Sequence, residues 1–294
     1  MRAPLHINWN ISYHCILNCA HCYSRERLGM HELSRGEKLA VADNIAESGV
    51  LSVNLGGGEP FMCPDVPAVV KRLSSQGVLV ELATSGWQVS ETQVEQVAEN
   101  GLSCAYFSID DIRPQQHDAL RGQQGCFASC LRVAEQFRAR GIQLICSTVV
   151  TSSNFEVLDD IVELAVSLGC RGIELKRLRL HGNARSRSDL ELSSDQVDEL
   201  YERVATWKQT APLDIVCIYG ARRVEGIDEG CPCGRSVLAL MPDGGIAPCV
   251  YAPKIIGNAL TDHIDDIWNS SSVLDRMRQS QGCVALGEGL EHAL

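Results

Sequence analysis

The sequence predicts an α/β fold on a parallel sheet, and three observations predict it. Six apolar strand-like runs alternate with stretches whose apolar residues recur at three-to-four spacing. Glycines 49, 77, 101, 141 and 169 stand where those stretches end, as helix C-termini favour. Strand, helix and strand repeat in one order, which makes neighbouring strands parallel and joins them by helical crossovers.

The elements follow in order. A strand over residues 5–11 leads into Cys15, Cys19 and Cys22. A helix over 34–47 opens with Ser34 three residues before Glu37, the capping-box spacing. A strand over 51–55 runs into Gly56-Gly57-Gly58-Glu59-Pro60. A helix over 66–75 and a strand over 79–83 bring Thr84-Ser85-Gly86. A helix over 91–98 and a strand over 105–109 bring Ser108, Asp110 and Asp111. A helix over 126–138 and a strand over 143–150 bring residues 151–154. A helix over 155–168 and a strand over 172–178 end at Arg177 to Arg179, and a helix over 193–207 follows. Residues 212–283 are richer in Gly, Pro and Cys, with a turn at Pro242-Asp243-Gly244-Gly245.

The cysteines at CxxxCxxC spacing carry the chemistry. Three thiolates hold three irons of a [4Fe–4S] cluster and leave the fourth iron open, whereas a structural metal site closes its coordination. The competing reading is a zinc knuckle completed by His14 or His21. The glycine run after the second strand lets a ligand approach the backbone, and Glu59 offers acceptors to an ammonium group.

At these residues the chain resembles the radical S-adenosylmethionine (SAM) superfamily. The resemblance implies a partial (β/α)6 TIM-like barrel, open at one side, with working residues at the C-terminal strand ends. It implies that Cys15, Cys19 and Cys22 bind the cluster. It places the methionyl amine of SAM on the segment from Gly57 through Gly58 and Glu59 to Pro60. SAM then chelates the open iron and is cleaved to a 5′-deoxyadenosyl radical that removes a substrate hydrogen. Ser85 follows the third strand and is assigned to the cofactor, and Ser108 and Asp110 match positions that touch the SAM ribose. His117-Asp118-Ala119-Leu120-Arg121 resembles an HDxxR stretch of the subfamily. Arg121 pairs either a cofactor carboxylate or a structural one.

A second constellation lies near the C-terminus. Cys233 to Cys249 reads C-x10-G-x4-C, which resembles the SPASM/twitch extension and its auxiliary [4Fe–4S] cluster. Cys231, Cys233 and Cys283 are the expected ligands, with Cys249, Cys217 or a non-protein group as the fourth. Alternatively Cys249 is a thiol that returns hydrogen to a substrate radical. The expected division is a barrel over 1–211 and a twitch-type appendage over 212–294.

The bulk numbers narrow the rest. Hydrophobic residues at 45% and charged residues at 21% describe an ordinary globular chain, and no apolar run reaches membrane-spanning length. Fourteen cysteines without an export signal favour the reducing cytoplasm. Seven of them, at 63, 104, 126, 130, 146, 170 and 217, read as small buried hydrophobes. A net charge of −11 argues against nucleic-acid and anionic-membrane partners and suits a cationic substrate. Asp110, Asp111 and the acidic residues Glu225, Asp228 and Glu229 are the candidate ammonium partners.

Only fourteen residues precede Cys15, so a leader-binding domain is not expected and a small molecule is preferred. Among radical SAM enzymes the chain is most similar to the aminoglycoside (neomycin) epimerases. The expectation is redox-neutral inversion of an amino sugar with Cys249 as hydrogen donor. A flavodoxin or ferredoxin would supply the electron. The alternatives are an aminocyclitol dehydrogenase and a peptide (RiPP) maturase.

Overall fold

The computed structural model describes residues 2–25, 29, 31–218, 232–251 and 254–279. Seven parallel strands run in sequence order: β1 (His6–Ser12), β2 (Ser52–Gly57), β3 (Leu79–Thr84), β4 (Leu102–Ser108), β5 (Gln143–Val150), β6 (Gly172–Arg177) and β7 (Asp214–Ile218). The crossovers are α1 (Arg35–Glu47), α2 (Val66–Ser74), α3 (Glu91–Glu99), α4 (Pro114–Arg121) with α5 (Cys126–Ala139), α6 (Leu158–Ser167) and α7 (Ser194–Thr210). Beyond β1 the sheet continues through β8 (Val237–Leu240), β9 (Gly245–Ala247) and β10 (Gly257–Asn258). The chain ends its described part with α8 (Ile264–Ser270) and α9 (Ser272–Gln279). The sheet is therefore open, with β10 and β7 at its edges.

Alternation along each strand separates two faces. Ile7, Trp9 and Ile11 of β1, Val53 and Leu55 of β2, and Ala105 and Phe107 of β4 are fully buried, in one core cluster with Val41 and Ile45 of α1. The other face is polar. His6 Nδ1 lies 2.7 Å from Ser52 Oγ, and Glu81 of β3 sits beside Tyr106 of β4. Glu81 and Glu174 of β6 also act on each other's charge. In a flat sheet three strand spacings would hold them about 14 Å apart, so curvature brings the polar face inward. This is the partial TIM-like barrel with its concave side polar.

The expected strands and helices match with shifts of a few residues at their ends. Ser34 accepts from Glu37 N and forms the full capping box. Two features differ. Helix α4 falls in the HDxxR stretch, where apolar periodicity is weak; Pro at its first turn and Gly122 in the left-handed region at its end set it instead. A seventh parallel strand, β7, follows residue 211 and pairs with β6. On the other edge, β8 pairs with β1 across more than 200 residues of sequence, and the β8–β9 hairpin turns at the expected Pro242-Asp243-Gly244. The seven cysteines assigned to the interior are all buried. Among the described residues no helix is long and apolar enough to cross a membrane.

Phe107 is fully buried at the centre of the sheet. Phe107→Ala is expected to lower stability by about 3–5 kcal/mol, read from the midpoint of chemical denaturation.

Candidate active site at the C-terminal strand ends

Two segments distant in sequence, at residues 12–14 and 58–59, are clasped backbone to backbone. Gly58 N donates to Ser12 O at 2.7 Å, and Glu59 N donates to His14 O at 2.9 Å. Gly57 has φ of +111°, and a Cβ there would collide with Ser12 O. A Cβ on Gly58 would collide with His14 O. Glycine is required because the two chains touch where side chains would stand.

The cysteine loop has no regular secondary structure, so its polar backbone groups need other partners. Arg25 Nη1 donates to Cys15 O at 3.1 Å and Leu17 O at 2.8 Å. Asn183 Nδ2 donates to Cys19 O at 2.9 Å, and Asn183 N donates to Cys22 O at 2.9 Å. Ala20 N donates to Leu120 O at the end of α4, at 2.8 Å. A Cβ on Gly122 would lie 2.8 Å from Asn18 O, so α4 seats directly on the loop. Cys15, Cys19 and Cys22 are not disulfide-bonded and pack with Leu17, Cys126 and Trp87. Burial pushes the Cys15 thiol up to about 11 and raises Cys19 as well.

Glu59 turns its carboxylate inward. It is 3% exposed. Oε1 accepts from Thr84 Oγ1 at 2.7 Å and Phe61 N at 3.4 Å; Oε2 accepts from Ser85 N at 2.9 Å and Ser85 Oγ at 2.7 Å. Four donors occupy the acceptor sites of a carboxylate. Glu59 is a strut from the glycine segment to the end of β3, and Ser85 spends its hydroxyl on that strut.

Asp110 is likewise turned inward. It is fully buried, 2.6 Å from Arg121 Nη2 and 3.6 Å from His21 Nε2, and its Oδ1 accepts from Val149 N at 3.0 Å. Burial alone would push its carboxyl up, but Arg121, His21 and His117 outweigh that and hold it down at about 2. Burial pushes both His21 and His117 down to about 4, so both rings are neutral at neutral pH. The Asp110 carboxylate thus has a cationic partner in Arg121, and Arg121 a carboxylate partner within the protein. Arg121 also lies against Cys19. Asp111 is fully buried and held bidentately by Arg113, at 2.8 and 2.7 Å. Neither aspartate is left for a cationic substrate. Ser108 is half-buried on β4 opposite Ser147 of β5. His21 turns its Nε2 toward Asp110. Among the described residues no three ligating side chains converge on a single ion.

Sequence reading placed Arg177 to Arg179 after the sixth strand without giving them a role, and it missed Tyr251. Tyr251 stacks edge-on against Tyr23, with centroids 4.7 Å apart, and Arg179 lies 5.6 Å from the Tyr251 ring. Lys176 pairs with Glu174 at 2.8 Å. The basic run from Lys176 to Arg179 at a strand end was the available signal. Cys249 is 7% exposed and its sulfur accepts from Tyr251 N at 3.4 Å, which places it beside this group. Cys233 is half-buried just before β8. Cys231, Cys283 and the acidic residues 225, 228 and 229 lie outside the described residues.

The site fits an iron–sulfur cluster with SAM. Three reduced thiols share one loop, the glycine clasp exposes backbone without side chains, and His21 Nδ1 and Asn10 Nδ2 are buried with no hydrogen-bond partner among the described residues. The profile of the Radical SAM superfamily matches residues 9–165, and that of the SPASM iron–sulfur cluster-binding domain matches residues 231–285. The chain is 30% identical to the mycofactocin maturase MftC of Mycobacterium ulcerans over 97% of its own length and 80% of that protein. It is 28% identical to the AdoMet-dependent heme synthase of Methanosarcina barkeri, over 95% and 86%. It is 27% identical to the PqqA peptide cyclase of Methylocella silvestris, over 95% and 77%.

Gly58→Ala tests the clasp. The variant is expected to fold yet hold about half the iron of the parent, because it loses one [4Fe–4S] cluster of two; iron and labile sulfide analysis reads this out.

Proposed function

Because the chain belongs to the radical SAM superfamily, we propose that it is a SPASM-bearing radical SAM enzyme that modifies a peptide. Its cofactors are a SAM-binding [4Fe–4S] cluster, SAM and auxiliary iron–sulfur. When bound, they supply a 5′-deoxyadenosyl radical that removes a hydrogen atom from the substrate. The observation that carries the reading is the clasp between the cysteine loop and Gly57–Glu59.

In this reading Cys15, Cys19 and Cys22 hold three irons. The backbone of Gly57 and Gly58 receives the methionyl amine, while the Glu59 side chain, braced by Thr84 and Ser85, fixes that backbone. Ser108 offers a hydroxyl on the inward face of β4. Asp110 and Arg121 act through position: their ion pair anchors α4, whose end seats the cysteine loop. Two parts are proposed, a barrel over 1–211 and an auxiliary-cluster part over 212–294, sharing one sheet. Cys231, Cys233, Cys249 and Cys283 all fall within the SPASM match and form the proposed auxiliary ligand set.

Two things support a peptide over an aminoglycoside. A relative across nearly the whole chain is a peptide cyclase. Asp110 and Asp111, the expected ammonium partners, are engaged by Arg121 and Arg113. The second reading, epimerisation of an aminoglycoside with Cys249 as hydrogen donor, keeps one point in its favour. Cys249 lies beside Tyr251, next to the cysteine loop.

Reduced, reconstituted enzyme with SAM separates the two. A precursor-type peptide is expected to raise 5′-deoxyadenosine formation and to change mass by loss of hydrogen. An aminoglycoside gaining one deuterium in D2O at otherwise unchanged mass would overturn the peptide reading. Cys249→Ala is expected to lose about four irons per chain. Full iron with lost product would make Cys249 a hydrogen donor instead.

A further inference from the structure

The unused charge at the barrel mouth is positive. Arg179 is 8% exposed, and its Nη1 has no hydrogen-bond partner among the described residues. A guanidinium at that depth is costly unless an anion or several acceptors meet it. Among the described residues its neighbours do not supply the anion. Glu174 is taken by Lys176 at 2.8 Å, Asp110 by Arg121 at 2.6 Å, and Asp111 by Arg113. Tyr251 contributes a ring face 5.6 Å from the guanidinium carbon. Burial raises the Tyr251 hydroxyl, while Lys176 and Arg179 both act on it from nearby and oppose that rise.

The position is tied to the chemistry. His181 N donates to Arg179 O at 2.7 Å, and the next residues are bound to the cysteine loop through Asn183 N and Cys22 O. A Cβ on Gly182 would collide with Cys22 O. On the other side Tyr251 stacks on Tyr23, the residue after Cys22. Arg179 is therefore fixed next to the cysteine loop by two routes.

We propose that Arg179, against the Tyr251 ring, is the binding site for a carboxylate of the substrate. This rests on the peptide reading above and names the end of the peptide that docks: a C-terminal carboxylate or an acidic side chain. The guanidinium presents a planar fork that suits a carboxylate, and the aromatic face beside it excludes water from the pair. The expected preference is thus the reverse of one for a cationic sugar.

The test is calorimetric titration of the reconstituted, SAM-loaded protein with four probes. They are N-acetyl-dialanine, its C-terminal amide, the C-terminal amide of N-acetyl-alanyl-glutamic acid, which carries its only carboxylate on the side chain, and acetate. At least one acidic peptide is expected to bind about tenfold more tightly than the dialanine amide, as a charged hydrogen bond provides. Which acid is preferred tells the C-terminus from the side chain. Arg179→Gln is expected to remove the preference and Arg179→Lys to retain part of it, with SAM affinity unchanged in both. Equal binding of acids and amide, binding of no probe, or a preference that survives Arg179→Gln overturns the site. So does weakened SAM binding in Arg179→Gln with unchanged peptide binding, because the carboxylate would then be that of SAM. Peptides bound without regard to charge would leave the peptide reading standing and this site refuted. Acetate bound as tightly as the acidic peptides would support the anion site and count against the peptide reading.

Discussion

Two hydrogen bonds between backbones, Gly58 N to Ser12 O and Glu59 N to His14 O, set the geometry of the whole active end. They bring the close of β2 against the entry to the cysteine loop. Such an approach is possible only where no Cβ intervenes, which makes Gly57 and Gly58 a steric requirement. The remaining supports act on the same two segments. Glu59 ties the glycine side to β3 through Thr84 and Ser85. Arg25, Asn183 and Leu120 hold the cysteine side through its backbone groups. An irregular loop is thereby kept rigid without helix or strand, as a multi-iron ligand set needs.

Charge is handled by a similar division. Three acidic groups behind the loop are compensated by cations: Asp110 by Arg121, Asp111 by Arg113, and Glu174 by Lys176. Each buried carboxylate would be expensive alone, so their partners are structural. Among the described residues, the Arg179 guanidinium keeps an unpaired nitrogen beside an aromatic ring. The overall charge of −11 therefore does not describe the local field in the site. Net charge bears on solubility and long-range attraction, while recognition at a few ångströms is set by which ions are already paired.

Much of this was legible in the sequence. The parallel α/β order followed from apolar spacing, and CxxxCxxC with the glycine segment pointed to the cofactors. What it did not show has physical reasons. A sequence shows that Glu59 and Asp110 carry charge, but not that Thr84, Ser85 and Arg121 already spend it, since those partners come from other strands and helices. Helix α4 escaped because its ends, Pro114 and Gly122, define it more than its apolar face does. The pairing of β8 with β1 escaped because strand order across such a separation leaves no local trace. The meeting of Arg179 with Tyr251 was hidden for the same reason: one follows β6 and the other follows β9, and only the fold brings them together.

The account depends on an iron that the chain leaves open and a cofactor amine that meets backbone at the clasp. Electron–nuclear double resonance on the reduced, reconstituted protein tests this most directly, with SAM labelled by 15N at its amine. The expected result is a hyperfine coupling from that nitrogen to the cluster of the wild-type chain. A cluster signal unchanged by SAM, with no nitrogen coupling, would show that a protein side chain closes the fourth iron and would contradict the account.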